Sequence, residues 1–77
     1  MLTPAELERR IVAALPGATV TIRDTTGTGD HFEAHVISSA FAGKTRVQQH
    51  QMVYGPLRDL LATGTLHALA LTTGAPE

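Results

Sequence analysis

The feature that most limits this chain is a polar, glycine-containing run, Asp24-Thr25-Thr26-Gly27-Thr28-Gly29-Asp30. It lies between two stretches whose apolar residues recur at every second position. Before it, Val20 and Ile22 alternate with polar residues through 19–23. After it, Phe32, Ala34 and Val36 alternate through 31–37. Alternation of this kind marks strands with one apolar face, and a cluster of Asp, Thr and Gly marks a reversal of direction. The two runs therefore predict a β-hairpin with a longish loop. A lone hairpin is marginally stable in water and needs another strand or a helix over its apolar face. The rest of the chain has to supply that cover.

Two helical stretches do so. In the first, Thr3 is placed to cap, Pro4 suits the first helical position, and Glu6 completes a capping box. Leu2 and Leu7 occupy the two positions of a hydrophobic staple. Leu7, Ile11, Ala14 and Leu15 make one apolar stripe, Glu6, Glu8, Arg9 and Arg10 fall mostly on the wet side, and Pro16-Gly17 ends the helix. Residues 38–43 form a connector with room for one helical turn. The second stretch runs over 45–61, with Thr45 and Gln48 spaced as another capping box. Val47, His50, Tyr54, Leu57 and Leu61 fall on one face at spacings of three and four. Pro56, behind Gly55, lacks a backbone N–H and so kinks or splits this helix. Thr63-Gly64 ends it, 66–71 reads as a third strand, and 72–77 as a polar tail. The expected order is helix, strand, strand, turn, long or broken helix, strand. This is an α+β fold, a three-stranded mixed sheet with helices on one face. No repeat, linker or low-complexity segment interrupts it, so residues 1–77 read as one domain.

Composition then removes several function classes. A domain of 77 residues buries only about 60% of the surface its unfolded chain exposes, so its stability is modest. The formal net charge of −1 argues against a strongly basic nucleic-acid binder, though a local basic patch stays open. The chain has no cysteine, hence no disulfide and no thiolate ligand of its own. No apolar run approaches the roughly 18 residues a membrane span needs. The first residues pass directly into a helix signal, without a targeting pattern, and the expected compartment is the cytoplasm. No catalytic set is visible. Ser38 and Ser39 carry no mark of an activated Ser–His pair, and Asp24 and Asp30 flank a turn, where Asp is expected. The expectation is a protein that is not an enzyme.

Four motifs, taken in order and spacing, carry a resemblance. They are His31-Phe32-Glu33, Phe41-Ala42-Gly43-Lys44, Gln49-His50-Gln51-Met52-Val53-Tyr54 and Leu66-His67-Ala68-Leu69. They are similar to the His-Phe strand start, Phe-x-Gly-Lys connector, Arg-His-Arg-x-Val-Tyr helix and final His-Ala-Leu strand of the BolA family. The likeness spans about residues 3 to 73. It implies a fold similar to class II KH domains. It also implies a non-enzymatic partner of a monothiol glutaredoxin, with which the chain shares an iron–sulfur cluster for trafficking or iron regulation. The isolated chain is expected to bind no cluster. Some members of the family are described as transcriptional regulators. One departure stands out: Gln49 and Gln51 replace the two arginines of the helix motif.

The resemblance maps His67 onto the family's C-terminal cluster ligand, and an imidazole in place of a thiolate raises a cluster's potential. The competing reading is a half-buried strand histidine that hydrogen-bonds a neighbour. A second family ligand, Cys or His, falls in the hairpin loop. Here the matching position is near Thr28, whose hydroxyl is a poor iron ligand. His31 is the substitute, with a purely structural role as its competitor, and Asp30 offers a hard oxygen that suits a soft cluster poorly. His31, Glu33 and His35 share one strand face, as a surface metal site or as plain solvated surface. His50 lies on the apolar helix face, packed or at a partner surface. Gly43-Lys44-Thr45 is not a phosphate loop, because Ser38 stands where its first glycine belongs. The alternative function is a KH-like regulator of DNA or RNA. In it Lys44, Arg46 and Arg58 contact phosphates and Gln48 and Gln49 reach bases, with one glycine where KH domains use a Gly-x-x-Gly loop. The expected state is a monomer or a weak homodimer, with a sheet edge free for pairing.

Overall fold

The computed structural model describes residues 2–27, 31–66 and 68–76. The chain runs α1 (Pro4–Ala14), β1 (Thr19–Asp24), β2 (His31–Ile37), a 3-10 turn (Ser39–Phe41), α2 (Arg46–Tyr54), a second 3-10 turn (Gly55–Leu57), α3 (Arg58–Ala62) and β3 (Ala68–Gly74). The sheet order is β1-β2-β3. β1 and β2 are antiparallel, as a hairpin requires, and β2 and β3 are parallel. A parallel pair needs a long crossover, and the two 3-10 turns with α2 and α3 provide it.

The local signals act where the sequence puts them. Thr3 Oγ1 accepts from the Glu6 N–H, and Leu2 and Leu7 are both buried. Thr45 and Gln48 form a complete capping box: Thr45 Oγ1 accepts from the Gln48 N–H, and Gln48 Oε1 accepts from the Thr45 N–H. In the hairpin turn Asp24 Oδ1 accepts from the N–H groups of Thr26 and Gly27. Gly27 takes a φ of +76°, a left-handed conformation that favours glycine. Gly55–Leu57 winds as a 3-10 turn, so the second helical stretch is split at Pro56.

One face of the sheet meets the helices. Phe32, Ala34 and Val36 of β2 are buried against Leu7 and Ile11 of α1 and Val53, Leu57 and Leu60 of the α2–α3 segment. Phe41, placed by sequence in a mere connector, is 1% exposed and belongs to this core. Two expectations need correction. The third strand starts at Ala68 and ends at Gly74, so Thr72 to Gly74 are strand and not tail, paired with His35 to Ile37. The buried stripe of the second helical stretch is Val53, Leu57 and Leu60. Val47 is 66% exposed, Leu61 is exposed, and His50 and Tyr54 lie half-buried at the side. Within α2 itself the residue turned to the core is Val53, which the spacing of three and four from Val47 does not reach, and the 3-10 turn at Gly55–Leu57 then changes the rotation per residue before Leu57 and Leu60. Ala14 of the predicted α1 stripe is also exposed.

Candidate functional site

Among the described residues no layer covers the sheet's second face. From β1 it carries Thr19, Thr21 and Arg23, from β2 His31, Glu33 and His35, and from β3 Ala68, Ala70 and Thr72. All are exposed except the half-buried His31. Arg23 and Glu33 are directly cross-strand and form an ion pair at 3.3 Å. Among the described residues no three His, Asp or Glu side chains converge as a metal-binding group. The spacing of His31, Glu33 and His35 along one strand therefore does not by itself assemble a metal site.

His31 opens β2, and its carbonyl accepts from both the N–H and the hydroxyl of Thr25, which closes the hairpin. Its partner in the parallel register is Ala68, the residue that follows His67 in the chain. His67, Thr28 and Asp30 lie outside the described residues. Of the proposed cluster ligands, the structure thus places His31.

The cations of the alternative reading fall in two places. Lys44 and Arg46 are exposed at the start of α2, while Arg58 is exposed at the start of α3, beyond the break at Gly55–Leu57. None of the three forms an ion pair among the described residues. Arg58 borders a shallow cavity of about 490 Å³ with Gln51, Tyr54, Gly55 and Leu61. Arg46 borders a second, of about 360 Å³, with His50, Leu71, Thr72 and Thr73. The glutamines expected to reach bases are engaged within the chain. Gln48 belongs to the capping box. Gln49 Nε2 donates to the carbonyls of Phe41 and Lys44, and its Oε1 accepts from the Thr73 hydroxyl at 2.6 Å. Sequence reasoning saw Gln49 as a replaced arginine and as a base contact, although an uncharged amide there, beside a turn full of carbonyls, was the available signal for this internal role. It also missed Tyr54, whose hydroxyl donates to the Leu69 carbonyl at 3.2 Å while its ring meets His50 edge-on.

A mixed three-stranded sheet in this order, with helices on one face and the other open, defines a small α+β domain of KH-like layout. The chain belongs to the BolA-like protein family, whose model matches residues 9–77. It is 35% identical over 77 residues to SufE-like protein 1 (chloroplastic/mitochondrial) of Arabidopsis thaliana, matching 97% of this chain and 20% of that protein. It is 35% identical over 51 residues to the acid stress protein IbaG of Escherichia coli, matching 66% of this chain and 61% of IbaG. The chain thus spans less than two thirds of either relative's length. Among solved structures, a bolA protein homologue from Coxiella burnetii superposes with a TM-score of 0.80 at 31% identity, covering 99% of this chain and 94% of that one. The BolA domain of SufE1 from Arabidopsis thaliana superposes with a TM-score of 0.83 at 26% identity, covering 95% and 91%. Among the described residues no helix is long and apolar enough to cross a membrane.

Proposed function

We propose that this protein is a non-enzymatic partner of a monothiol glutaredoxin that contributes histidine ligands to a shared iron–sulfur cluster. The observation that supports the reading is the β2–β3 register, which sets His31 opposite Ala68, the residue that follows His67 in the chain. The donor set fits a shared cluster and not a resident one. The chain has no thiolate, and its described residues hold no three-ligand group. His67 and His31 would hold the cluster on this side, and the partner would supply the sulfur ligands. When bound, such a cluster supplies an electron-transfer centre or a transferable unit of iron and sulfide. The chain's own part is to present the His31 imidazole at the end of the sheet, where the Thr25–His31 hydrogen bonds fix the strand start. Membership of the BolA-like family supports the pairing with a glutaredoxin, as the motif resemblance implies.

The test mixes the purified protein with cluster-loaded monothiol glutaredoxin and follows visible absorption and circular dichroism. A spectrum distinct from that of the glutaredoxin alone, lost in His67→Ala and altered in His31→Ala, is expected. An unchanged spectrum with no complex on a sizing column refutes the pairing. A mixed-complex spectrum that survives His67→Ala refutes the ligand assignment alone. The second reading, a nucleic-acid regulator, draws support from Lys44 and Arg46, which form no ion pair among the described residues. Against it stand the placing of Arg58 on another helix, α3, and the internal engagement of Gln49. A salt-dependent affinity for DNA or RNA that falls in Lys44→Ala supports that reading, and no binding at low salt ends it.

A further inference from the structure

The β3 edge away from β2 forms one wall of the cavity beside α2. The Gly74 carbonyl accepts from the Ser38 N–H, just past the end of β2, so the backbone groups of Gly74 face β2. Backbone groups alternate sides along a strand, so those of Leu69, Leu71 and Thr73 face the other way. The Tyr54 hydroxyl on the Leu69 carbonyl agrees with that assignment, since α2 flanks this edge. Thr73 meets α2 through its side chain, whose hydroxyl donates to Gln49 Oε1, but among the described residues neither a side chain nor a backbone group of α2 bonds to the main-chain groups of Leu71 and Thr73. Their N–H and C=O groups thus form a short open ladder. The same two residues line the cavity of about 360 Å³ with Arg46, His50 and Thr72. That volume lies at the lower end of the range for ligand sites, about 300–1,000 Å³. Among the described residues no acidic side chain lines it and Arg46 has no ion-pair partner.

We propose that this groove is a docking site for an extended acidic segment of a partner polypeptide, which adds to β3 alongside Leu71 and Thr73 and places a carboxylate against Arg46 and His50. An extended chain satisfies an open edge with main-chain hydrogen bonds and gains specificity from alternate side chains. Arg46 and His50 are one turn apart on α2, so both reach the same side of the groove. Guanidinium pairs with carboxylate bidentately, and imidazole adds a donor. A polynucleotide offers phosphates to Arg46 but no amide ladder to Leu71 and Thr73, which is why a peptide is the better occupant. The site sits at the end of β3 remote from Ala68, so it is separate from the proposed cluster ligands and does not depend on them.

The experiment uses the whole isotope-labelled chain and a blocked heptapeptide of alternating Glu and Val, added up to roughly 5 mM, where weak binding is still visible by NMR. The expected result is shifts at the amides of Leu71 and Thr73 and at the Arg46 and His50 side chains, with slowed hydrogen exchange at both amides. Arg46→Ala, an exposed position, weakens binding about fivefold and flattens its salt dependence. A peptide N-methylated along its backbone, or one with Lys in place of Glu, leaves the shifts absent. Four outcomes overturn the proposal: no shifts at all, shifts equal for the Lys peptide, shifts elicited by a thymidine heptamer but not by the peptide, or concentration-dependent shifts of the same amides without any peptide, which mark a contact between copies of this chain.

Discussion

The two faces of the sheet are made from alternate residues of the same three strands, yet they differ in almost every physical respect. On the covered face Phe32, Ala34 and Val36 are essentially removed from water and meet side chains from all three helices. On the open face their immediate neighbours Glu33 and His35 meet mainly solvent and one exposed ion pair, and His31 is half-buried. The strands themselves are held by the same backbone ladder throughout. The difference teaches where this small protein keeps its stability and where it has freedom to carry chemistry. Residues on the covered face are fixed by packing, and a change of one methylene is felt there. Residues on the open face can change with little effect on folding, so polar or ligating groups cost little there.

That contrast can be broken by mutation. Phe32→Ala should destabilise the chain by about 3–5 kcal/mol, comparable with much of the stability of a domain this size, as read by urea denaturation. If it costs under about 1 kcal/mol, the covered face is not the source of stability. Gln49→Leu should cost about 1–2 kcal/mol, because the Phe41 and Lys44 carbonyls and the Thr73 hydroxyl lose their partner. Calorimetry should show it, and native-state hydrogen exchange should place the loosening at the end of β3. Thr45→Ala removes the cap of α2 and should cost about 1 kcal/mol, while Thr45→Ser should recover most of it. His35→Ala, one residue from Val36 but on the other face, should stay within about 0.5 kcal/mol of the parent. Arg23→Ala should also remain within about 0.5 kcal/mol, and its small effect should shrink at high salt. A large cost in either of the last two would mean that something covers the open face in solution.

Much of the layout was legible in the sequence because its signals are local. The hairpin follows from alternation on either side of 24–30, both helix starts follow from side-chain caps, and the break at Gly55–Leu57 follows from proline's missing N–H. What escaped was decided by partners distant in sequence. Thr72, Thr73 and Gly74 look like a tail because they lack an apolar pattern, but the β2 ladder recruits them through backbone groups every residue carries. Phe41 looks like part of a loop until the 3-10 turn swings it into the core. The stripe Val47–His50–Tyr54–Leu57–Leu61 fails first inside α2, where packing turns Val53 and not Val47 to the core, and again where the winding changes at Gly55–Leu57. As for the candidate site, the residue types were visible from the motifs. That His31 faces Ala68 was not, since a parallel register has no turn to fix it.

The parallel pairing of β2 with β3 also sets an order of events. α1, β1 and β2 can find one another by short-range closure, whereas β3 can dock only after the helical crossover has been drawn back across the sheet. Pairings that close long stretches of chain form slowly. Until then Phe32 and Val36 lack one flank, and β2 presents a raw apolar border to other molecules. In that order the last step is the addition of β3 at the edge of the sheet, which also completes the end where His31 stands. Pulse-labelled hydrogen exchange during refolding would resolve this as late protection of Ala68 to Gly74 against early protection of the hairpin.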